Sequence, residues 1–586
     1  MTSPAANTTE TGKAPASRVL LLGLDGASWR LLDPLMEDGK LPRLAQLISE
    51  GARGVLESTI PPVTASAWSS LYTGRSPGRH GVFDFRRRMG PDTTHRPWVT
   101  LGEIGGPRLW DIASAQGKTV GLINLPLTFP PVPVKGYMIG GMPVPPTKDE
   151  IGLPSGLVDE IVSRTGEYIS DVDLLRGESP DVNDPEKCRE FVLQVGRAAE
   201  SRGRAALYLI DEHPTDLTAC VLVTPDRLSH LFWKVLVPEP GDQDLKRWEV
   251  ELRERMIEVL GTMDGVVGRL VDAMSADDLV ILVSDHGFGH LDEILKLNRL
   301  LRRLGYLKFR PEVEGGLRRK VGRLLPESIK KPVREFMRWK RMLRRGHAQD
   351  AHATAGDTAG ERKPFDPYAL IDWSQTRAYS GGSVEQGVFL NVAGREPMGT
   401  VQMGGEYHRV RDRLIEDLRK SIHPSDRKPL FDWVEPRENV YSGEYLDNAP
   451  DIIFSLREYR MVVGEDAEPP LVGPWSQPRA GFHRRDGIVV LAGPMIRKGI
   501  QLGKSRIEDV APTLLACWGL AADEGMDGEV MRGAIEPEFL VAHPARRADF
   551  ADHAQDAHAT WGLRREPCER DAEDMEDLLK GLGYLN

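Results

Sequence analysis

Cysteine is scarce in this chain of 586 residues. Its four, Cys188, Cys220, Cys517 and Cys568, are scattered and form no C-x-x-C pair, which excludes a disulfide scaffold and a zinc ribbon. Long hydrophobic runs are missing as well. No stretch approaches the roughly 18 consecutive apolar residues of a membrane-spanning helix, and the start, Met1 to Arg18, is polar and rich in Ser, Thr and Ala. The expectation is no signal peptide, no spanning segment and a cytoplasmic location. Positive charge is not in excess either: a net charge of -11 argues against general binding to a nucleic-acid polymer. There is no internal repeat.

What the chain does have is length and a recurring apolar pattern. It exceeds what one core usually supports, so two or more modules around a large α/β body are expected. Arg18–Leu24, Leu217–Val223, Leu279–Val283, Ile452–Phe454 and Ile488–Leu491 are apolar throughout instead of alternating, and helical stretches such as Leu41–Glu50 separate most of them. Such runs predict a mainly parallel sheet covered by helices on both faces, with the ligand site outside the carboxyl ends of its strands.

The pattern breaks twice. Leu317–Arg345 holds twelve Lys or Arg against Glu327 and Glu335, and His347–Arg362 is rich in Ala, Gly and Asp. This predicts a basic helical cap insertion followed by a linker, drawing in anionic substrate or touching anionic lipid, with a plain solvated face as the simpler reading. A second insertion, at about 126–200, starts Pro-rich and is expected to border the site. The expected organisation is therefore a polar tail (1–17), the first part of a catalytic core (18–295), the basic cap and linker (296–371), the second part of the core (372–540) and a charged tail ending in a short helix (541–586). His553 and His558 lie in that tail and read as solvent-exposed.

Six side chains of metal-ligand type stand out: Asp25, Asp226, His230, Asp285, His286 and His483. Two groups of Asp and His around a hydroxyl are what a two-metal phosphoester-cleaving centre needs, since each divalent ion wants carboxylate and imidazole ligands with a nucleophile between them. In D-R-L-S-H, Asp226 and His230 are spaced i, i+4 and share one face of a helix. In S-D-H-G-F-G-H, Asp285 and His286 end an apolar strand, and Gly287 and Gly289 permit a sharp turn; His290 follows closely as a competing ligand. Asp25 in D-G-A-S has an ordinary role available as a helix N-cap, and His483 in G-F-H-R-R-D-G carries little by itself. In P-P-V-T-A-S-A-W-S-S, Thr64 at a helix start would meet backbone N–H groups and the positive end of the dipole. Thr59, Ser66, Ser69 and Ser70 are its rivals on physical grounds alone.

The ordered succession L-L-G-L-D-G, P-P-V-T with T-G-R-S-P-G-R-H-G-V-F-D-F, D-R-L-S-H, S-D-H-G-F-G and G-F-H resembles the alkaline phosphatase superfamily, in its type I phosphodiesterase/nucleotide pyrophosphatase branch. The resemblance runs from about Arg18 to Asp527. The stretches L-N-R-L-L-R-R-L-G-Y-L, A-P-D-I-I-F and D-V-A-P-T-L-L look like those of a bacterial and archaeal subgroup of phosphodiesterases or phosphomutases.

The resemblance implies an alkaline-phosphatase-like three-layer sandwich and two divalent ions, zinc with manganese as the alternative. One ion would be held by Asp226, His230 and His483, the other by Asp25, Asp285 and His286. Thr64 would be nucleophile and a ligand of the second ion: like the nucleophile of the nucleotide pyrophosphatases, it stands nine residues before a Thr-Gly pair and sixteen before a His-Gly pair. Ser66, off register, is a candidate substrate-binding residue.

One departure is evident. The family's phosphoryl-stabilising Asn is here Ala67, the loss of a donor typically worth about 2.7–4 kcal/mol in an oxyanion hole. The function implied is hydrolysis of a small or lipid-linked phosphoester through a phospho-threonine. The alternatives are a phosphoglycerate-mutase-like phosphotransferase and a non-catalytic metal- or anion-binding scaffold on the same fold.

Overall fold

The apolar runs become the centre of one large sheet. Val19–Leu24 (β1), Ala52–Glu57 (β2), Val120–Leu125 (β3), Gly136–Gly140 (β4), Gly152–Leu153 (β5), Leu217–Leu222 (β6) and Leu279–Val283 (β7) join Asp486–Ala492 and Ile500–Arg506 in nine strands. Across the sheet the order is Ile500–Arg506, β2, Asp486–Ala492, β7, β1, β6, β3, β4, β5. Every residue of β1, β3, β6 and β7 is buried, and since side chains alternate between faces, both faces are covered. β7, β1, β6, β3 and β4 run parallel, whereas Asp486–Ala492 pairs antiparallel with both β2 and β7 and β5 antiparallel with β4. The computed structural model is thus an α/β protein with a large, mainly parallel central sheet, as the sequence predicts. It describes residues 13–87, 97–144, 151–172, 180–242, 244–310, 367–381, 386–396, 398–464 and 470–553.

A second core lies apart from the sheet. Leu295–Phe309 and Tyr368–Val472 share one apolar cluster, around an antiparallel sheet ordered Ala378–Tyr379, Gly387–Leu390, Ile452–Leu456, Phe431–Pro436 and the helix Gly405–Arg419. The run at Ile452–Phe454 therefore belongs here and not to the main sheet, and residues 372–464 pack with 295–309. A continuous apolar run says that a strand is buried, not in which core. The second core touches the loop before Thr64, where the Tyr441 hydroxyl donates to the Ile60 carbonyl and the Tyr441 ring meets Phe83 at 5.1 Å. The basic segment 317–345, read as a helical cap, lies outside the described residues, as do His347–Arg362, His558 and the terminal helix. Among the described residues no helix is long and apolar enough to cross a membrane.

Candidate active site

Three adjacent parallel strands deliver the three aspartates to one edge of the sheet. Asp25 directly follows β1, Asp285 comes two residues after β7, and Asp226 follows β6 in the first turn of the helix Thr224–Leu236. The neighbouring N-caps are Ser28 and Val223, so neither Asp25 nor Asp226 serves as a cap. The chain can turn after Asp25 because Gly26 adopts φ 68°, and a Cβ there would meet the Phe288 ring at 2.7 Å and the Asp226 Cα at 3.0 Å. His483 arrives from far along the sequence: Gly481–Arg484 pairs antiparallel with Gly287–His290, with His483 opposite Phe288.

All six side chains converge, and all are buried. His286 Nε2 lies 3.3 Å from Asp285 Oδ2 and 3.8 Å from Asp25 Oδ1. His230 Nε2 lies 3.3 Å from Asp226 Oδ1 and 3.1 Å from His483 Nε2, and His483 Nε2 is 3.8 Å from Asp226 Oδ1. One donor atom each from Asp25, Asp285 and His286 falls within 4.8 Å of the others; the same holds for Asp226, His286 and His483, so His286 stands at the join. Thr64, the first residue of the helix Thr64–Thr73, places Oγ1 3.1 Å from His286 Nε2.

The rival hydroxyls are engaged elsewhere. Thr59 donates to the Pro61 carbonyl, Ser66 to that of Val82 and Ser69 to that of Ala65. Ser70 meets His80 Nε2 at 2.8 Å. Burial, helped by the Arg75 charge, pushes His80 down to about 3, and its Nδ1 accepts the Val82 N–H; the neutral ring therefore donates from Nε2 to Ser70. His290, the competing ligand, is tied up instead by Asp242 at 2.9 Å and Glu239 at 3.2 Å.

Each carboxylate has one oxygen anchored and one bare. Trp68 Nε1–H donates to Asp25 Oδ2 at 3.1 Å, the Gly26 N–H to Asp285 Oδ1 at 3.2 Å, and Arg227 to Asp226 Oδ2. Asp25 Oδ1, Asp285 Oδ2 and Asp226 Oδ1 are buried and accept no hydrogen bond. The imidazoles are anchored likewise, His483 Nδ1 on the Pro62 carbonyl at 2.8 Å and His286 Nδ1 on the Gly287 carbonyl at 3.1 Å.

Burial, then the charges of Asp285 and Asp226, push the Asp25 carboxyl well above its usual range. Burial, with the Asp226 charge, raises Asp285. Burial opposes the charge of Asp226 too, but His230, Arg227 and His483 outweigh it and hold that carboxyl low. Orphaned buried oxygens among mutually repelling carboxylates, with imidazole nitrogens facing them, fit divalent cations. Sequence reasoning missed Trp68 and Arg227. Trp68 was open to discovery, lying i+4 from Thr64 and hence on the same helix face.

A family model described as type I phosphodiesterase / nucleotide pyrophosphatase matches residues 19–487. No curated protein matches the chain. Among solved structures, the chain is similar to phosphonoacetate hydrolase from Sinorhizobium meliloti 1021 in complex with phosphonoacetate, at a TM-score of 0.49 and 13% identity, covering 85% of this chain and 94% of that one. It is also similar to an inactive form of murine ectonucleotide pyrophosphatase / phosphodiesterase 5 in complex with AMP, at a TM-score of 0.45 and 12% identity, covering 86% and 96%.

Proposed function

Because this chain belongs to the type I phosphodiesterase/nucleotide pyrophosphatase family, whose members are phosphoric ester hydrolases, we propose that it cleaves a small or lipid-linked phosphoester through a phospho-Thr64 intermediate. The observation that carries this reading is the convergence of Thr64 with six buried donors, Asp25, Asp285 and His286 on one side and Asp226, His230 and His483 on the other, with His286 within reach of both. Asp226, His230 and His483 hold one divalent ion; Asp25, Asp285 and His286, with Thr64, hold the other. The donor set of imidazole nitrogen and carboxylate oxygen suits zinc, with manganese the competitor. When bound, the two ions supply Lewis acidity and neutralise charge on the phosphoryl oxygens.

The protein's part is positioning. Thr64 Oγ1 attacks phosphorus as the bond to the leaving alcohol breaks, and water then attacks phospho-Thr64 from the opposite side. The hydroxyl is restored, and phosphate or a phosphomonoester leaves. Thr64 opens a helix of ten residues, so the positive end of the dipole and the first-turn N–H groups face the phosphoryl oxygens. We assign them the work of the family's Asn, replaced here by Ala67. Ser66 contributes through its backbone N–H, since its hydroxyl is committed to Val82.

The test is turnover of a chromogenic phosphate monoester and diester by the zinc-loaded and manganese-loaded protein, with acid-quench trapping of phosphate on Thr64. Turnover of either ester that survives in Thr64→Ala would overturn the covalent route.

A further inference from the structure

We propose that the two halves of the centre are unequal, that the Asp25/Asp285/His286 half fills first, and that Asp171 tunes the weaker half built on Asp226, His230 and His483. This rests on the two-metal reading above and goes beyond it.

The asymmetry lies in what anchors each carboxylate. Asp25 and Asp285 are held by neutral donors, the Trp68 indole and the Gly26 backbone. Their half therefore offers a cation two carboxylates, neither of them hydrogen-bonded to a positively charged group. The other half has a single carboxylate, Asp226, and its anchoring oxygen is hydrogen-bonded to the guanidinium of Arg227, a permanent cation buried to the same degree. A buried positive charge one carboxylate away from the cation position opposes binding there most strongly; it also reaches Asp25 in the other half, but without a hydrogen bond to either of that half's carboxylates.

Arg227 is itself clamped from behind. Its Nε and terminal nitrogen both donate to Asp171, at 3.0 and 2.6 Å, and the Asp171 side chain is only 11% exposed. Asp171, Arg227 and Asp226 thus form a minus-plus-minus chain ending at the cation position. Asp171 touches no ligand. Its charge acts through Arg227, which makes it a positioning residue supplied by the stretch between β5 and β6 and not by the strands that carry the ligands.

The experiment titrates the metal-free full chain with Zn2+ against a chromophoric chelator. The expected isotherm has two steps differing by roughly tenfold or more, the scale of outer-sphere effects on metal affinity. Asp226→Asn should erase the weaker step and keep the stronger, and Asp285→Asn should cut into the stronger one. Asp171→Asn should weaken the second step several-fold with the first unmoved, whereas Asp171→Glu, which keeps the charge, should restore it; melting curves establish that each variant is folded. Two steps of equal strength, loss of the stronger step in Asp226→Asn, or equal effects of Asp171→Asn on both steps overturn the inference while leaving the two-metal reading intact. No zinc bound by the wild type overturns that reading itself.

Discussion

His286 and His483 stack face to face, with ring centroids 3.6 Å apart and planes 19° from parallel. The cause is the pairing of Gly481–Arg484 with Gly287–His290, which seats His483 opposite Phe288, within reach of the ring that leads into that strand. Burial, followed by the neighbouring His286 and His230, holds His483 well below the usual imidazole range, so the ring is neutral and offers its Nε2 lone pair without first losing a proton.

Thr64→Ala should lower turnover by roughly 10³-fold or more, as removal of a nucleophile does, while the protein still binds two cations. Ser66→Ala should cost less than about tenfold, since it removes one hydrogen bond to the Val82 carbonyl. Steady-state rates alongside metal content check both, and similar losses in the two variants would displace Thr64 from its role.

Trp68→Phe keeps a ring against Gly23 but removes the donor to Asp25. The expected result is a fall of roughly 10- to 100-fold in affinity for the cation at Asp25, with a lower melting temperature of the metal-free protein as well, since a fully buried indole is shortened and Asp25 loses its one donor. Chelator competition measures the first quantity and calorimetry the second.

Gly26→Ala should destabilise the fold by roughly 2 kcal/mol or more. It combines a left-handed φ with a Cβ pressed on the Phe288 ring and on the backbone of Asp226. Denaturant midpoints test this, and a loss below about 0.5 kcal/mol would mean that the turn relaxes freely.

Glu508, in the turn Ile507–Asp509, supplies a pH signature. Burial pushes its carboxyl up to about 7 from 4.5. The folded protein thus keeps a proton that the unfolded chain releases, and the penalty grows between those pH values and is complete above them. Glu508→Gln should therefore stabilise by up to about 3 kcal/mol at pH 8 and by little at pH 4.5. Equal gains in melting temperature at the two pH values would exclude the mechanism.

The parallel centre of the sheet was legible because strands buried on both faces have no polar side to show, and Asp25 and Asp285 were legible as the residues that end such runs. His483 was not legible in this way. Its place depends on an antiparallel pairing between distant segments, and nothing in G-F-H-R-R-D-G encodes a partner. Family resemblance alone singled it out. Arg227 was hidden for another reason: next to Asp226 in sequence, it reads as one more surface charge until burial reveals what it holds.

The strand Asp486–Ala492 lies between β2 and β7, which has a consequence for biosynthesis. Chains are made from the N-terminus, and domains fold as they emerge. When residue 290 leaves the ribosome, β2 has no neighbour beside it and β7 presents an open edge. The second core, whose contacts fall within 295–472, can assemble in the meantime. Only when Asp486–Ala492 slots in, moments after His483 itself has appeared, do the two parts of the sheet become one. Nascent chains halted before that strand should expose the edges of β2 and β7 to chaperones, and those halted after Ile500–Arg506 has also emerged and covered the far side of β2 should not.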